Sequence, residues 1–273
     1  MIHVKKLNGE VQEYNPSKLR ISLSNSGADE GTINRIMSKV NKILYDGIET
    51  KKLFKFAFRA FKKDEPYSSS RYNLKNAILR LNHEGFHFER LVASVIQKKG
   101  YSAKLDKIVS GKYIRHEIDI SAGKGKEKLM IECKHHAKPW LGTDIQTALY
   151  VYARFMDVKK QFTAPMLVTN TKFSPQVIAY SKGVGLKLMG WKCPKGDSLE
   201  YYIEKFKLYP ITMLSCLNQK ETSQLLKLDI IMIRNLGEMD IKQISQILKV
   251  SKSKANKILK ESRALCGGNV CSD

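Results

Sequence analysis

The apolar residues of this chain switch repeatedly between the two-residue period of a strand and the longer period of a helix. At the start, "IHVKKLNGEVQEYN" alternates apolar and polar positions on both sides of Asn8–Gly9, which predicts a β-hairpin. "NPSKLRISLSNSG" then opens a helix, with Asn15 as N-cap and Pro16 at its first position. Helical spacing recurs at about 31–45, 50–62 and 71–82, the last entered from the polar loop "KKDEPYSSSRYN" (62–73). A small hairpin capping a helical bundle is the expected first unit.

"HEGF" (83–86) marks the next boundary. Beyond it, Phe88, Leu91, Val92, Val95 and Ile96 recur at helical spacing until Gly100 ends the run. Strands are predicted at about 101–108, 113–121 and 128–134. "DIQTALYVYARFMD" reads as a helix with Ile145, Ala148, Leu149, Tyr152 and Met156 on one stripe. "APMLVTN" is a short buried strand, "SPQVIAYSKG" a helix and "LKLMGW" a last strand, closed by the turn-rich "CPKGDS" (193–198). The order is α-β-β-β-α-β-α-β. In the tail, "DIKQISQILKVSKSKANKILKESRAL" (240–265) reads as two helices around a turn, with Ser251 capping the second. Ile244, Ile247 and Leu248 face one way, and Ala255, Ile258 and Leu259 stripe the second helix. The expected architecture is an α/β (α+β) multidomain chain: a hairpin and helical bundle at 1–82, an αβββαβ core at 83–199 and a helical tail at 200–273.

Charge narrows the partners. The chain carries 48 Lys and Arg against 26 Asp and Glu, a net +22. Such a surplus concentrates polyanions, of which nucleic acid is the commonest; a soluble protein with many surface lysines is the plainer alternative. The start has no long apolar core of a signal peptide, and no apolar run approaches a membrane span, so a cytoplasmic protein without membrane association is expected. The cysteines, Cys133, Cys193, Cys216, Cys266 and Cys271, are odd in number and form no CxxC pair, which points to reduced thiols. His135 and His136 are adjacent on a strand, point to opposite faces and make a poor metal pair.

Chemistry concentrates in "HEIDISAGKGKEKLMIECKHH" (116–136). On a strand, Glu132 and Lys134 share a face, and Asp119 lies opposite its flanking Ile118 and Ile120. Pairing across the glycine turn brings Asp119 to Glu132 and Lys134. Two close carboxylates repel, and a hard divalent cation removes that cost. Spacing alone leaves open a solvated hairpin with cross-strand ion pairs.

The run Asp119…Glu132-Cys133-Lys134 resembles the D…(D/E)xK motif of the restriction-endonuclease-like nucleases. With "FHFERLVASVIQKKGY", "EIDI" and "LVTNTKFS", residues 83–192 resemble the Mrr-type branch, although "RHEID" lacks the glycines common before its aspartate. The resemblance implies Mg²⁺ or Mn²⁺ bound by Asp119 and Glu132, Lys134 beside the attacking water, and Glu89 as the helical acid. Gln146 and Tyr150 match the branch's Q-x-x-x-Y helix, with Gln146 near the site or the scissile phosphate. Glu89 as a surface acid and Gln146 as a solvated glutamine are the plainer alternatives.

Residues 1–82 resemble the ATP-cone, the nucleotide-binding regulatory domain of ribonucleotide reductases and their transcriptional repressor, through "VKKLNGEVQEYNPSKL" and "LYDGIETKKL". The resemblance maps Val4, Lys5, Lys6, Asn15, Lys18 and Thr50 to nucleotide-contacting positions, Lys6 and Lys18 being suited to phosphates. Leu7-Asn8 stands where the family usually has Arg-Asp, and Phe54 where it often has histidine. A scaffold or oligomerisation surface is the alternative. There is no Walker A motif, so sensing of ATP or dATP is expected and not ATP-driven motion.

The tail resembles a helix-turn-helix or helix-hairpin-helix DNA module, with Lys249, Lys252, Lys254, Lys257 and Lys260 on its turn and second helix; a helical pair packed on the nuclease or a second subunit remains open. The combined expectation is a homo-oligomeric, metal-dependent DNA endonuclease controlled by ATP or dATP, by analogy in restriction or phage defence. Its rivals are a nucleotide-responsive DNA-binding regulator with an inactive nuclease fold, and a nuclease for RNA or repair structures.

Overall fold

A computed structural model of the chain describes residues 2–65, 68–81 and 86–267. Most of the boundary expected at 83–86, part of the loop at 62–73, and Cys271 lie outside these residues. The chain forms two compact units, one of Met1–Ala77, Met213–Gln219 and Leu236–Asp273, the other of Ile78–Thr212 and Lys220–Asn235.

In the first unit, β1 (His3–Lys5) and β2 (Val11–Glu13) form the expected antiparallel hairpin. Gly9 takes φ +87° in its turn, a conformation costly for residues with a Cβ. Helix α1 (Pro16–Asn25) starts as the sequence indicates, with the Asn15 side chain accepting the Ser17 amide at 2.9 Å. Helix α2 (Glu30–Asn41) follows, and then β3 (Ile48–Glu49), which pairs parallel to β1 and makes it the central strand. Helix α3 (Thr50–Asp64) and the short α4 (Ser68–Tyr72) complete this region. Val4, Leu23, Ile36, Ile48 and Phe61 share its core. Helix α5 (Leu74–Leu79) leads across the division between the units.

In the second unit, α6 (His87–Lys98) buries Phe88, Leu91, Val92, Val95 and Ile96, the stripe its sequence predicts. It packs on β4 (Ser102–Ser110), β5 (Arg115–Lys124) and β6 (Glu127–Lys134). A short β7 (Gly142–Thr143) precedes α7 (Ile145–Val158). Then come β8 (Ala164–Thr169), β9 (Lys172–Phe173), α8 (Pro175–Val184), β10 (Lys187–Met189) and α9 (Leu199–Lys205). The five-stranded sheet has the order β10-β8-β6-β5-β4. It is parallel across β10, β8 and β6 and antiparallel across β6, β5 and β4. The parallel centre explains the unbroken apolar run of "PMLV" in β8, because such strands are covered on both faces.

One stripe differs from expectation. In α7 the fully buried residues are Ala148, Val151 and Val158, while Leu149 and Met156 are exposed. The helix is apolar on several sides, so helical spacing admits two stripes, and packing on β8 and α8 selects the neighbouring one. Helices α10 (Gln219–Lys227), α11 (Ile233–Gly237), α12 (Ile241–Leu248) and α13 (Lys252–Cys266) end the chain. Ser251 caps α13 as expected, and Asp240 with Gln243 forms a capping box on α12. Among the described residues, no helix is long and apolar enough to cross a membrane.

Candidate active site

The central feature is a break in the ladder at Asp119. Strands β5 and β6 pair from Lys124↔Glu127 to Ile120↔Ile131. At the next step the Cys133 amide donates instead to the Asp119 carboxylate, at 2.7 Å to Oδ2. On the other side of β5, Leu105↔Ile120 and Lys107↔Ile118 flank a position where Asp106 adopts φ +47°. Asp119 therefore sits where β5 parts from β6 and where the β4 ladder is locally disturbed. Irregularities of this kind in a ladder re-aim side chains, and they are over-represented beside active sites.

Five acids, Glu89, Asp106, Glu117, Asp119 and Glu132, meet electrostatically here. Burial pushes Asp119 up, against the pull of the Cys133 amide and Arg154, and Asp106 and Glu117 push it further. Burial also raises Glu89 on α6, with help from Asp119 and Asp106. The Glu89 Oε2 is buried and has no hydrogen-bond partner among the described residues. Glu132 is pushed up to about 7, first by burial and then by the charge of Asp119, against Arg154 and Lys134. Lys134 is exposed and close enough to act on Glu132. The structure thus brings together Glu89, Asp119, Glu132 and Lys134.

Two participants were not singled out from the sequence. Asp106 lies alone on a neighbouring strand, and only the β4–β5 register sets it opposite Asp119. Arg154 on α7 donates through Nη1 to Glu132 Oε2 and, at 3.0 Å, to the Glu117 carbonyl. Its Nη2 donates to the Tyr150 hydroxyl, and its guanidinium lies 4.6 Å from the centre of that ring. Sequence spacing contains a signal for Arg154, since Gln146, Tyr150 and Arg154 recur every four residues on one helix face. Gln146 is exposed in the first turn of α7.

The other candidates are placed as follows. Val4 is 3% exposed in the core of the first unit, so a nucleotide could meet only its backbone. Lys5 and Lys18 are exposed, Lys6 pairs with Glu10 at 2.9 Å, and Thr50 opens α3. Asn15 already uses its side chain as the α1 cap. In the tail, Lys249, Lys252, Lys257 and Lys260 are exposed, whereas Lys254 is half-buried and its charge acts on Cys216.

Among the described residues, no three His, Cys, Asp or Glu side chains close up as a ready-made metal cage. The donors still suit a hard cation: Mg²⁺ is usually held by one or two carboxylates together with water and substrate phosphates. Asp119 and Glu132 are two such carboxylates, each driven toward its neutral form by burial and by its acidic neighbours. A cation would relieve that penalty.

Residues 80–192 match the Mrr catalytic-domain family, described as restriction endonuclease. Residues 209–266 match the AF1548-like C-terminal family, where the sequence pattern had pointed to a generic DNA-binding helix pair. Neither match covers residues 1–79, so the comparisons do not show the ATP-cone expected at 1–82. A protein of Archaeoglobus fulgidus described as uncharacterized is 35% identical over 180 residues, which is 64% of this chain and all of the relative. A crystal structure of a protein of unknown function, AF1548, aligns with a TM-score of 0.57 at 34% identity, covering 67% of this chain and 98% of that one.

Proposed function

Because the chain belongs to the AF1548-like family and carries a restriction-endonuclease domain of the Mrr type, we propose that it is a metal-dependent endonuclease that hydrolyses phosphodiester bonds in DNA. The observation that carries this reading is the gathering of Glu89, Asp119, Glu132 and Lys134 where β5 parts from β6. Asp119 and Glu132 would hold Mg²⁺ or Mn²⁺. When bound, such an ion lowers the pKa of its water and offsets charge on a phosphoryl oxygen. The Cys133 amide fixes the orientation of the Asp119 carboxylate. Lys134 orients the attacking water or stabilises negative charge as the phosphorane develops. Arg154 compensates the buried charge of Glu132.

The N-terminal region is read as an ATP-cone that senses ATP or dATP, with Lys5, Lys6, Lys18 and Thr50 near the ligand. The exposed lysines of α12–α13 are read as part of a DNA-binding surface. Cleavage assays on plasmid, modified phage DNA, single strands and RNA, with and without ATP or dATP, test the whole reading. Asp119→Ala, Glu132→Ala and Lys134→Ala should each abolish Mg²⁺- or Mn²⁺-dependent cleavage while the fold and DNA binding persist. Full activity in Asp119→Ala removes the site.

A second reading, a nucleotide-responsive DNA-binding regulator without catalysis, draws on one observation: Arg154 already supplies a cation to Glu132. Absence of cleavage of every substrate, with retained DNA binding, would favour it.

A further inference from the structure

Beyond the point where β5 leaves β6, strands β4 and β5 continue as a two-stranded arm, pairing from Lys107↔Ile118 to Ser110↔Arg115. An isolated hairpin is marginal in water, but this one is braced along its length by α7 and the residues after it. Arg154 donates to the Glu117 carbonyl. The Asp157 carboxylate accepts the Tyr113 amide at 2.9 Å and the Ile114 amide at 3.3 Å, and lies 2.8 Å from His116 Nε2. The Lys112 amide donates to the Asp157 carbonyl, and Gln161 donates to the Ser110 carbonyl. A Cβ at Gly111 would collide with the Asp157 carboxylate, so the approach requires glycine there.

The tip held in this way is not polar. Tyr113 is 76% exposed and Ile114 is 64% exposed. Lys112 reaches the Tyr113 ring and hydroxyl, and Lys112 and Arg115 are themselves exposed. A rigid turn showing an aromatic and a β-branched side chain between two cations costs solvation unless a partner covers it. The flanking charge suits a polyanion with apolar faces, and stacked bases behind phosphates are such a surface.

We propose that the arm tip is a second contact to duplex DNA, in which Tyr113 and Ile114 press between or against bases while Lys112 and Arg115 meet the flanking phosphates. The inference rests on the nuclease reading only for its substrate class. At about 3.3 Å per strand residue the tip lies roughly 15–20 Å from Asp119. That is about five base steps of a duplex at roughly 3.4 Å each. A bound duplex would be distorted there, a few base pairs from the scissile phosphate. Asp157 acts as a positioning residue.

The test uses the full chain with Asp119→Asn, which keeps an oxygen for the Cys133 amide and removes cleavage from the readout. Its partner is a duplex carrying 2-aminopurine, whose fluorescence rises on unstacking. Binding by the parent should raise the fluorescence. Tyr113→Ala with Ile114→Ser should weaken binding roughly tenfold to hundredfold and abolish the rise at saturation. Lys112→Gln with Arg115→Gln should flatten the salt dependence. Asp157→Asn should lose the fluorescence rise although the tip side chains are intact. Unchanged affinity and unchanged unstacking in the Tyr113/Ile114 variant overturn the proposal, as does failure of the parent to bind duplex. If that variant instead dissociates a dimer without altering DNA binding, the tip serves a second copy and the proposal is wrong. Failure of the nuclease reading would show separately, as absence of metal-dependent cleavage by the unaltered chain.

Discussion

The guanidinium of Arg154 is seated on the carboxylate of Glu132, in a pair whose side chains are only 12% and 19% exposed. The same group holds the Glu117 carbonyl, so one side chain ties the acid of β6 to the arm of β5. Breaking a buried pair on one side typically costs about 3–5 kcal/mol, because the remaining charge is stranded.

Arg154→Met should therefore lower stability by roughly 3–5 kcal/mol at pH 8, where Glu132 is largely ionised. The double variant Arg154→Met/Glu132→Gln should recover part of that loss, since no charge is left uncompensated. Urea unfolding of the two single variants and the double would measure the coupling. Strictly additive losses would mean that the pair has no energetic coupling.

Glu132 gives the site a pH dependence. Its folded value is raised from the ordinary 4.5 to about 7, so between these values the folded state binds more protons than the unfolded state. Its contribution to stability is fully present below about pH 4.5 and lost as pH rises through about 7. The difference corresponds to about 3 kcal/mol. In chelator, the midpoint of denaturant unfolding should fall between pH 5 and pH 8. The fall should be smaller in Glu132→Gln, and equal slopes in the two proteins would exclude Glu132 as its source.

Much of this site can be read along the chain. Alternation sets Asp119 against its flanking isoleucines, and the two-residue step from Glu132 to Lys134 is local. The strands, the α6 stripe and the Asn15 and Ser251 caps are also local signals. What the sequence does not disclose depends on long-range register. Asp106 has meaning only opposite Asp119. The two residues of β3 show no alternation to detect, and parallel pairing with β1 creates that strand. Arg154 lies on the same face as Gln146 and Tyr150, but the Q-x-x-x-Y motif ends at Tyr150, and only the fold brings Arg154 to Glu132. Leu149 and Met156 are exposed although they lie on an apolar stripe of α7, because helical spacing cannot rank two apolar faces without their neighbours.

For the N-terminal region, ATP or dATP should raise the melting temperature by mass action on the folded state. Lys18 is exposed and caps nothing, so Lys18→Ala should reduce the shift without altering the unliganded melting temperature. Asn15→Ala should differ: losing its cap to the Ser17 amide costs about 1 kcal/mol even without nucleotide. No shift with any purine nucleotide at millimolar concentration would leave this region a scaffold.

The tail lysines separate DNA contact from a surface that is merely basic. Each phosphate neutralised on duplex DNA releases counterions, and log K falls with log salt by about 0.9 per contact. Lys249, Lys252, Lys257 and Lys260 are exposed, whereas Lys254 is half-buried beside the Cys216 thiol. Replacing the four exposed lysines by glutamine should flatten the slope by as much as about 3 to 4. Lys254→Gln should leave the slope nearly unchanged and act on stability instead. Lys249 ends α12 with φ +54°, a backbone that glutamine adopts at little more cost than lysine, so the quadruple variant should keep its fold. Fluorescence anisotropy across a salt series reads the slope, and circular dichroism checks the fold. If the slope of the quadruple variant matches that of the unaltered chain, these lysines form a solvated or subunit-facing surface, and the +22 surplus meets nucleic acid elsewhere or not at all.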